Sequence, residues 1–441
     1  MIAPARRVAT RVLERIMRDD AWAAPALDAE LRRSVRSRAD AGLATQIVYG
    51  TLRVKPHLEA ALEQLARRPI RVDDWTRAAL LGAAYQLMYL DKVPAHAVVN
   101  DAVSLVREKR GQRLAGFVNA VLRKLASQPS GSTHTASGMA VPPWLAEALH
   151  ASIGTERARA LLCLADEPPS IDLRVRSDVD REQLARSILA THPDAAVSPT
   201  SLSPLGLRVS GVGDPRSLPG YAQGAFAVQE EGAQLIGLLL GAQPGERVLD
   251  VCAGRGGKTA QLAEAVTPQG SVTATDLHEH RLEQIQTELT RLRLRSVPVH
   301  ETCVDWTVGR GSVHGEFDRV LVDAPCTGLG TLRRRPEILL RSTAMDAARM
   351  GEVQRRILRN AAGRVSPGGV LLYAVCSPLL QEGSEVAVDA GLEGFELQMN
   401  RPSVLKSLEF GPEGRLLLGP WVPGAGAWSD AYQIFMWVHV G

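Results

Sequence analysis

"RVLDVCAGRGGKT", residues 247–259, decides the fold. Val248 and Leu249 lead to an acid, Asp250, and glycines at 254, 256 and 257 follow before an apolar-periodic stretch, "KTAQLAEAV". The pattern is a buried strand, a tight turn and a helix. Glycines in such a turn let the backbone take positive φ or pass close to a ligand. The closing GGKT is not a triphosphate loop, because that motif needs glycine six residues before the lysine and Cys252 stands there. It is not a dinucleotide fingerprint either, since Lys258 and Thr259 occupy the places beyond Gly257.

Downstream, strand-like and helix-like segments alternate. "SVTATDL" reads as a strand, "RLEQIQTELTRL" as a helix with Leu282, Ile285, Leu289 and Leu292 on one face, and "FDRVLVDAP" as a strand. "MGEVQRRILRNAAGRV" and "GGVLLYAVC" continue the series. Continuous apolar strands alternating with helices predict a parallel, doubly wound α/β sheet, in which ligands sit beyond the carboxyl ends of the strands. Upstream the texture differs. Residues 1–127 carry apolar residues at three- and four-residue spacing, as in "AALLGAAYQLMYL" and "HAVVNDAVSLVREK", with prolines only between segments, and predict an all-α domain. The polar stretch beginning "QPSGSTHTASG" reads as a linker over 128–140. Over 141–222 the strands "IDLRVR" and "GLRVSGV" flank the helix "REQLARSILA", a small α+β module; the doubly wound domain is expected over 223–441.

Composition narrows the class. Hydrophobic residues at 45% and charged residues at 22% are those of a globular protein, and no apolar run approaches the length of a membrane span. Glu14 interrupts the arginine-rich N-terminus, which reads as a first helix and not as a targeting segment. Five widely spaced cysteines without a CxxC pair suggest neither disulfides nor metal, and a reducing cytoplasm is expected. Residues 1–128 hold 22 Lys+Arg against 13 Asp+Glu, or +9, so with a total of +3 the rest carries −6. A basic N-terminal part faces an acidic partner such as nucleic acid, and arginines 6, 7, 11, 15 and 18 are the expected positive face.

The loop 252–257 (Cys252, Ala253, Gly254, Arg255, Gly256, Gly257) with Lys258, then Asp276 closing the second strand and Asp305 after the third, is an arrangement that holds S-adenosylmethionine. Loop amides would receive its amino-acid end, Asp276 the ribose diol and Asp305 the adenine amino group. The alternative is that these aspartates cap helices. The fourth strand ends in "VLVDAPCTGLGTLRRRPE", with Asp323 and Cys326, and the fifth delivers Cys376. One cysteine at a strand end is ordinarily a small buried hydrophobe; two, with an acid, at the ligand edge of one sheet call for chemistry. Carbon 5 of cytosine becomes nucleophilic only after a thiolate adds to carbon 6. An acid must then meet the charge at ring nitrogen 3, and a base must remove the hydrogen on carbon 5. Lys258 or arginines 333–335 could lower the thiol pKa.

"DAPC" and "CS" with "GGKT" upstream resemble the RNA cytosine-5 methyltransferases of the Sun (Fmu) family, as do "QRRILRNAAGRVSPGGVLLYAVCS" and "FAVQEEGAQL". "LATQIVYGTLR", "PAHAVVNDAV" and "FVNAVLRK" resemble the NusB-like RNA-binding domain fused to RsmB-type members. The resemblance spans essentially the whole chain. It implies a Rossmann-like methyltransferase domain, S-adenosylmethionine as donor and 16S ribosomal RNA as substrate, with no membrane, no metal and a monomer. It also implies that Cys376 attacks, Cys326 releases, and Asp323 and Lys258 assist; Asp323 and Lys258 also border the cofactor. Arg333, Arg334 and Arg335 would grip phosphates around a flipped base. This chain departs from the family pattern at Gly254-Arg255 (usually alanine-proline), at Val375 (usually threonine) and at Glu382-Gly383, where an asparagine is usual; it also lacks a C-terminal glycine-phenylalanine pair. The rival readings are a non-catalytic ribosome-assembly factor with a decayed site and a transfer-RNA enzyme.

Overall fold

Seven helices build the N-terminal part: α1 (Pro4–Asp19), α2 (Ala23–Ser34), α3 (Arg38–Arg53), α4 (Lys55–Ala66), α5 (Asp74–Tyr89), α6 (Ala95–Arg110) and α7 (Gln112–Ala126). Their starts follow from local chemistry. Pro4 opens α1, where its missing N–H costs nothing, and the Asp73 carboxylate accepts from the N–H of Thr76 at the head of α5. Buried Leu58, Leu81, Val106 and Leu122 lie in one apolar core, Val12, Leu13 and Ile47 in another. The expected positive face of α1 is mostly ion-paired within this domain. Arg6 meets Asp101 at 2.7 Å, Arg7 meets Glu108 at 2.8 Å, Arg11 meets Glu30 at 3.5 Å and Arg18 meets Asp19 at 2.7 Å.

The computed structural model describes residues 2–441 apart from residues 36, 68, 129–140, 166–168, 399–404, 406, 407, 409, 412 and 423–429. The linker expected over 128–140 lies, save Gln128, outside the described residues. Helices α8 (Pro143–Ile153) and α9 (Thr155–Ala165) follow. A small antiparallel sheet then forms from β1 (Ile171–Val175), β2 (Ala196–Pro199), β3 (Gly206–Ser210) and β4 (Phe226–Val228), in the order β2-β3-β1-β4, with α10 (Arg181–Thr191) against it. Two of its strands are new relative to the sequence pattern. β4 comes from "FAV", the segment expected to open the catalytic domain, because Phe226 and Ala227 are buried beside β1.

The second sheet holds β5 (Arg247–Asp250), β6 (Ser271–Asp276), β7 (Val299–Cys303), β8 (Phe317–Asp323), β9 (Val365–Val375), β10 (Phe395–Leu397), β11 (Leu416–Leu418) and β12 (Tyr432–His439). Its order is β10-β12-β9-β8-β5-β6-β7, with β11 also on β12. Helices α11 (Glu231–Leu240), α12 (Gly257–Val266), α13 (Glu279–Arg291), α14 (Asp346–Ala362) and α15 (Ser384–Asp389) accompany it. β5 to β9 run parallel, as the alternation predicts, while β12 runs antiparallel against β9. The sheet is therefore mixed, as large α/β sheets often are. Its two faces are separate cores, one around Leu235, Val248, Leu262 and Ile285, the other around Leu249, Val320, Leu358 and Tyr373.

Two compact units result: Met1–Pro142 with Leu162–Pro168 and Leu332–Ser342, and Pro143–Leu161 with Pro169–Thr331 and Thr343–Gly441. The α+β module and the methyltransferase sheet thus share one unit, and residues 332–342 belong to the helical one. Among the described residues no helix is long and apolar enough to cross a membrane.

Candidate active site

The strand order reverses at β5, with β6 on one side and β8 on the other, so the crevice for a ligand opens at the carboxyl ends of these strands. The loop after β5 lines it. Gly254 and Gly256 have φ of +56° and +84°, conformations that favour glycine. A Cβ on Gly256 would stand 2.9 Å from Ile285, so this glycine also lets α13 pack close, whereas a Cβ on Gly254 or Gly257 would meet open space. Arg255 is exposed; the Ala253 N–H is tied to the Thr275 carbonyl at 2.8 Å. Cys252 is half-buried, and burial, followed by the charges of Asp250, Asp323 and Asp276, pushes its thiol well above the ordinary range. It offers backbone to the crevice, not a thiolate.

Acids stand where the sequence pattern puts them. Asp276 ends β6; its carboxylate accepts from Gly254 N at 3.1 Å and from His278 N at 2.9 Å. Asp305 is exposed two residues past β7, and hydrogen bonds from the hydroxyl and N–H of Thr307 hold its carboxyl below the usual range. Asp250 is fully buried at the end of β5. Its Oδ2 accepts from the Thr259 hydroxyl at 2.7 Å, and its Oδ1 has no partner. Burial chiefly, with the charges of Asp323 and Asp276, pushes its pKa up to about 7 against the opposing pull of Thr259 and Lys258.

Asp323 ends β8 beside Ala374 of β9, and Lys258, from the first turn of α12, places Nζ 2.6 Å from its Oδ2. Burial works against the ammonium of Lys258, but the charge and hydrogen bond of Asp323 outweigh it, so the pKa stands above the ordinary value; the Cys376 charge adds to the effect. Cys326, on the loop after β8, and Cys376, just past β9, approach to 3.2 Å between sulfurs. The hydrogen bond to Cys376 and burial raise the Cys326 thiol well above its ordinary range, and either sulfur can be the donor in the contact. Among the described residues, Lys258 is a cation close enough to Cys376 to feel its charge.

The three arginines after the DAPC loop lie in the helical unit. Arg333 is 6% exposed, and its carbonyl accepts from Arg53 at 3.2 Å; Arg334 is half-buried and Arg335 exposed. Sequence reasoning passed over Glu382, noting only that it stands in a region of departure. Its carboxylate, with no exposure, accepts from Thr327 N at 2.7 Å and from the hydroxyls of Thr327 and Ser377 at 2.5 Å each. An acid six residues after a serine-flanked cysteine was the available signal.

A mixed sheet wound about a glycine loop, with two cysteines and an aspartate at its ligand edge and a helical unit before it, is an α/β methyltransferase with a NusB-like N-terminal region. The profile described as 16S rRNA methyltransferase RsmB/F matches residues 237–404, and that of the NusB family matches residues 3–127. Ribosomal RNA small subunit methyltransferase B of Vibrio cholerae is 34% identical over 82% of this chain and 83% of its own; that of Pseudomonas putida is 33% identical over 86% and 87%. In three dimensions the protein PH0851 superposes with a TM-score of 0.82 over 99% of both chains at 21% identity. A methyltransferase homolog from Pyrococcus horikoshii gives 0.55 over 67% and 94% at 24%. The chain belongs to the RsmB/F family of 16S rRNA methyltransferases.

Proposed function

We propose that this chain methylates carbon 5 of a cytosine in 16S ribosomal RNA, using S-adenosylmethionine and a transient covalent bond from Cys376 to carbon 6. The observation that carries the proposal is the pair of sulfurs 3.2 Å apart at the ends of β8 and β9, with the Lys258–Asp323 ion pair at the same edge. The residues fit the cofactor. Open space stands over Gly254 and Gly257, and Asp250 keeps a buried carboxylate oxygen without a partner. Asp276 would take the ribose and Asp305 the adenine amino group. When bound there, the cofactor supplies an electrophilic methyl group.

The chain's own groups divide the remaining work. Cys376 attacks as the thiolate, its sulfur lone pair forming the bond to carbon 6. Asp323 relays a proton from the Lys258 ammonium, 2.6 Å away, to ring nitrogen 3, neutralising the charge that arrives there, and takes it back when the 5,6 double bond re-forms. While Cys376 is a thiolate, its hydrogen bond and charge keep Cys326 protonated. Once Cys376 becomes a neutral thioether both influences vanish, so Cys326 can give up its proton to water and stand as the thiolate base. It then takes the proton from carbon 5, the electron pair re-forms the 5,6 double bond, and the carbon–sulfur bond breaks. Exposed Arg335 and half-buried Arg334 are the candidates of the 333–335 run for phosphate contact.

Cys376→Ser is expected to abolish methyl transfer from labelled cofactor to 16S RNA, and Cys326→Ala to accumulate a protein–RNA adduct on a denaturing gel. Methylation retained by Cys376→Ser would sink the proposal, and absence of the adduct would reverse the two cysteine roles. Bisulfite sequencing of ribosomal RNA with and without the gene locates the base.

A further inference from the structure

Among the described residues, Glu382 is the one carboxylate with hydrogen bonds to both cysteine loops. Thr327 directly follows Cys326, and both its N–H and its hydroxyl donate to Glu382, to Oε1 at 2.7 Å and Oε2 at 2.5 Å. Ser377 directly follows Cys376, and its hydroxyl donates to the same Oε2 at 2.5 Å. From α14, Gln354 Nε2 donates to Oε1 at 3.2 Å and to the Pro325 carbonyl at 2.8 Å, so the base of the DAPC loop is tied to the same point. The Glu382 carbonyl in turn accepts from the Tyr373 hydroxyl at 2.5 Å. Two N–H and two O–H donors thus converge on two oxygens, and all lie in one compact unit.

We propose that Glu382 is a positioning residue that clamps the Cys326 and Cys376 loops together and so sets the distance between the two thiols. This rests on the cysteine mechanism above. Oε2 alone accepts from both loops, while Oε1 takes the Thr327 N–H and the Gln354 amide. The charge contributes as well, because Glu382 is among the groups that raise the Cys326 thiol, after Cys376 itself and burial. Burial raises the pKa of Glu382, but the hydrogen bonds from Ser377, Thr327 and Gln354 oppose this.

The clamp is tested on the full chain by Glu382→Ala and Glu382→Gln. The first readout is independent of catalysis: diamide oxidises two neighbouring thiols to a disulfide, and the rate of Cys326–Cys376 cross-linking reports their proximity. Glu382→Ala is expected to slow cross-linking and to lower kcat by roughly a hundredfold, the scale of a ~1 Å misplacement, with KM for RNA and cofactor within about twofold. Glu382→Gln keeps the shape; its amide can face the two rotatable hydroxyls, so cross-linking is expected to recover towards the parent rate. If Glu382→Ala does not fold, Thr327→Val with Ser377→Ala removes the two hydroxyl arms and is expected to slow cross-linking in the same way. Cross-linking and turnover near parent rates in whichever of these variants folds would overturn the clamp. If Cys376→Ser still methylates, the cysteine mechanism fails, while the cross-linking rates still decide the clamp.

Discussion

Asp250 is a carboxyl group whose folded and unfolded pKa values differ in a direction that stability measurements can read. Folded, burial pushes it up to about 7; unfolded, it returns to the ordinary carboxylate range. Between these values the folded protein holds a proton that the unfolded chain has lost. The contribution is therefore fully present below the unfolded pKa and is lost as pH rises through about 7. Asp250→Asn keeps the hydrogen bond from Thr259 in reach and removes the titration. Its melting temperature relative to the parent is expected to be higher at about pH 8 than at about pH 5; a pH-independent difference would show that Asp250 does not titrate between folded and unfolded states. The sequence could show this residue only as the acid closing a strand. Its orphaned oxygen depends on the neighbours that tertiary packing supplies. The cysteines were more legible, because strand ends in a parallel sheet share one edge whatever the details of packing. Glu382 was not, since its partners Thr327 and Gln354 lie 55 and 28 positions away.

At the scale of elements, β12 explains how the chain lives with glycine at 383, within the Glu382-Gly383 stretch where the family it resembles usually has an asparagine. Gln433 of β12, wholly buried, donates through Nε2 to the carbonyls of Ser377 at 2.9 Å and Leu379 at 2.8 Å, holding the turn after Cys376. A Cβ on Gly383 would stand 2.1 Å from Gln433 Oε1. The side chain of Gln433 thus fills the room that a residue at 383 would need. Gly383→Asn is expected to cost about 1–3 kcal/mol by overpacking, and adding Gln433→Ala is expected to return part of that cost. Denaturation of the parent, both single variants and the double variant closes the cycle, and additive losses would contradict the pairing. The strands β5, β6, β8 and β9 and the helices α12, α13 and α14 were readable from periodicity. β12 was not, because its antiparallel partner β9 lies more than fifty residues back in the chain and no hairpin turn joins them.

At the scale of the whole molecule, the chain returns to its helical unit for residues 332–342 directly after the loop that carries Cys326. Those residues are built in. Leu332 and Ile338 are 0% and 3% exposed, Glu337 Oε1 accepts from Ala23 N at 3.1 Å, and Arg341 Nη2 donates to the Ala21 carbonyl at 2.6 Å. Arg53, itself buried, donates to the Arg333 carbonyl, and the Arg341 guanidinium stacks 4.4 Å from the centre of the Trp22 ring. Three domains in series, the organisation that composition suggested, could not foresee an eleven-residue return of this kind, since nothing local marks it. The packing predicts how a protease meets the run of arginines. Arg53→Ala together with Glu337→Ala in the full chain removes two buried hydrogen bonds worth about 1 kcal/mol each. The open population of the segment then rises by roughly thirtyfold, so trypsin should cut after Arg333 and Arg334 correspondingly faster, followed by mass spectrometry of the fragments. Cofactor affinity should stay within about twofold, because the 252–257 loop, Lys258, Asp276 and Asp323 belong to the other unit. Unchanged cleavage would mean that the segment opens without breaking these bonds. Faster cleavage accompanied by lost cofactor binding would mean that 332–342 also holds the glycine loop in shape.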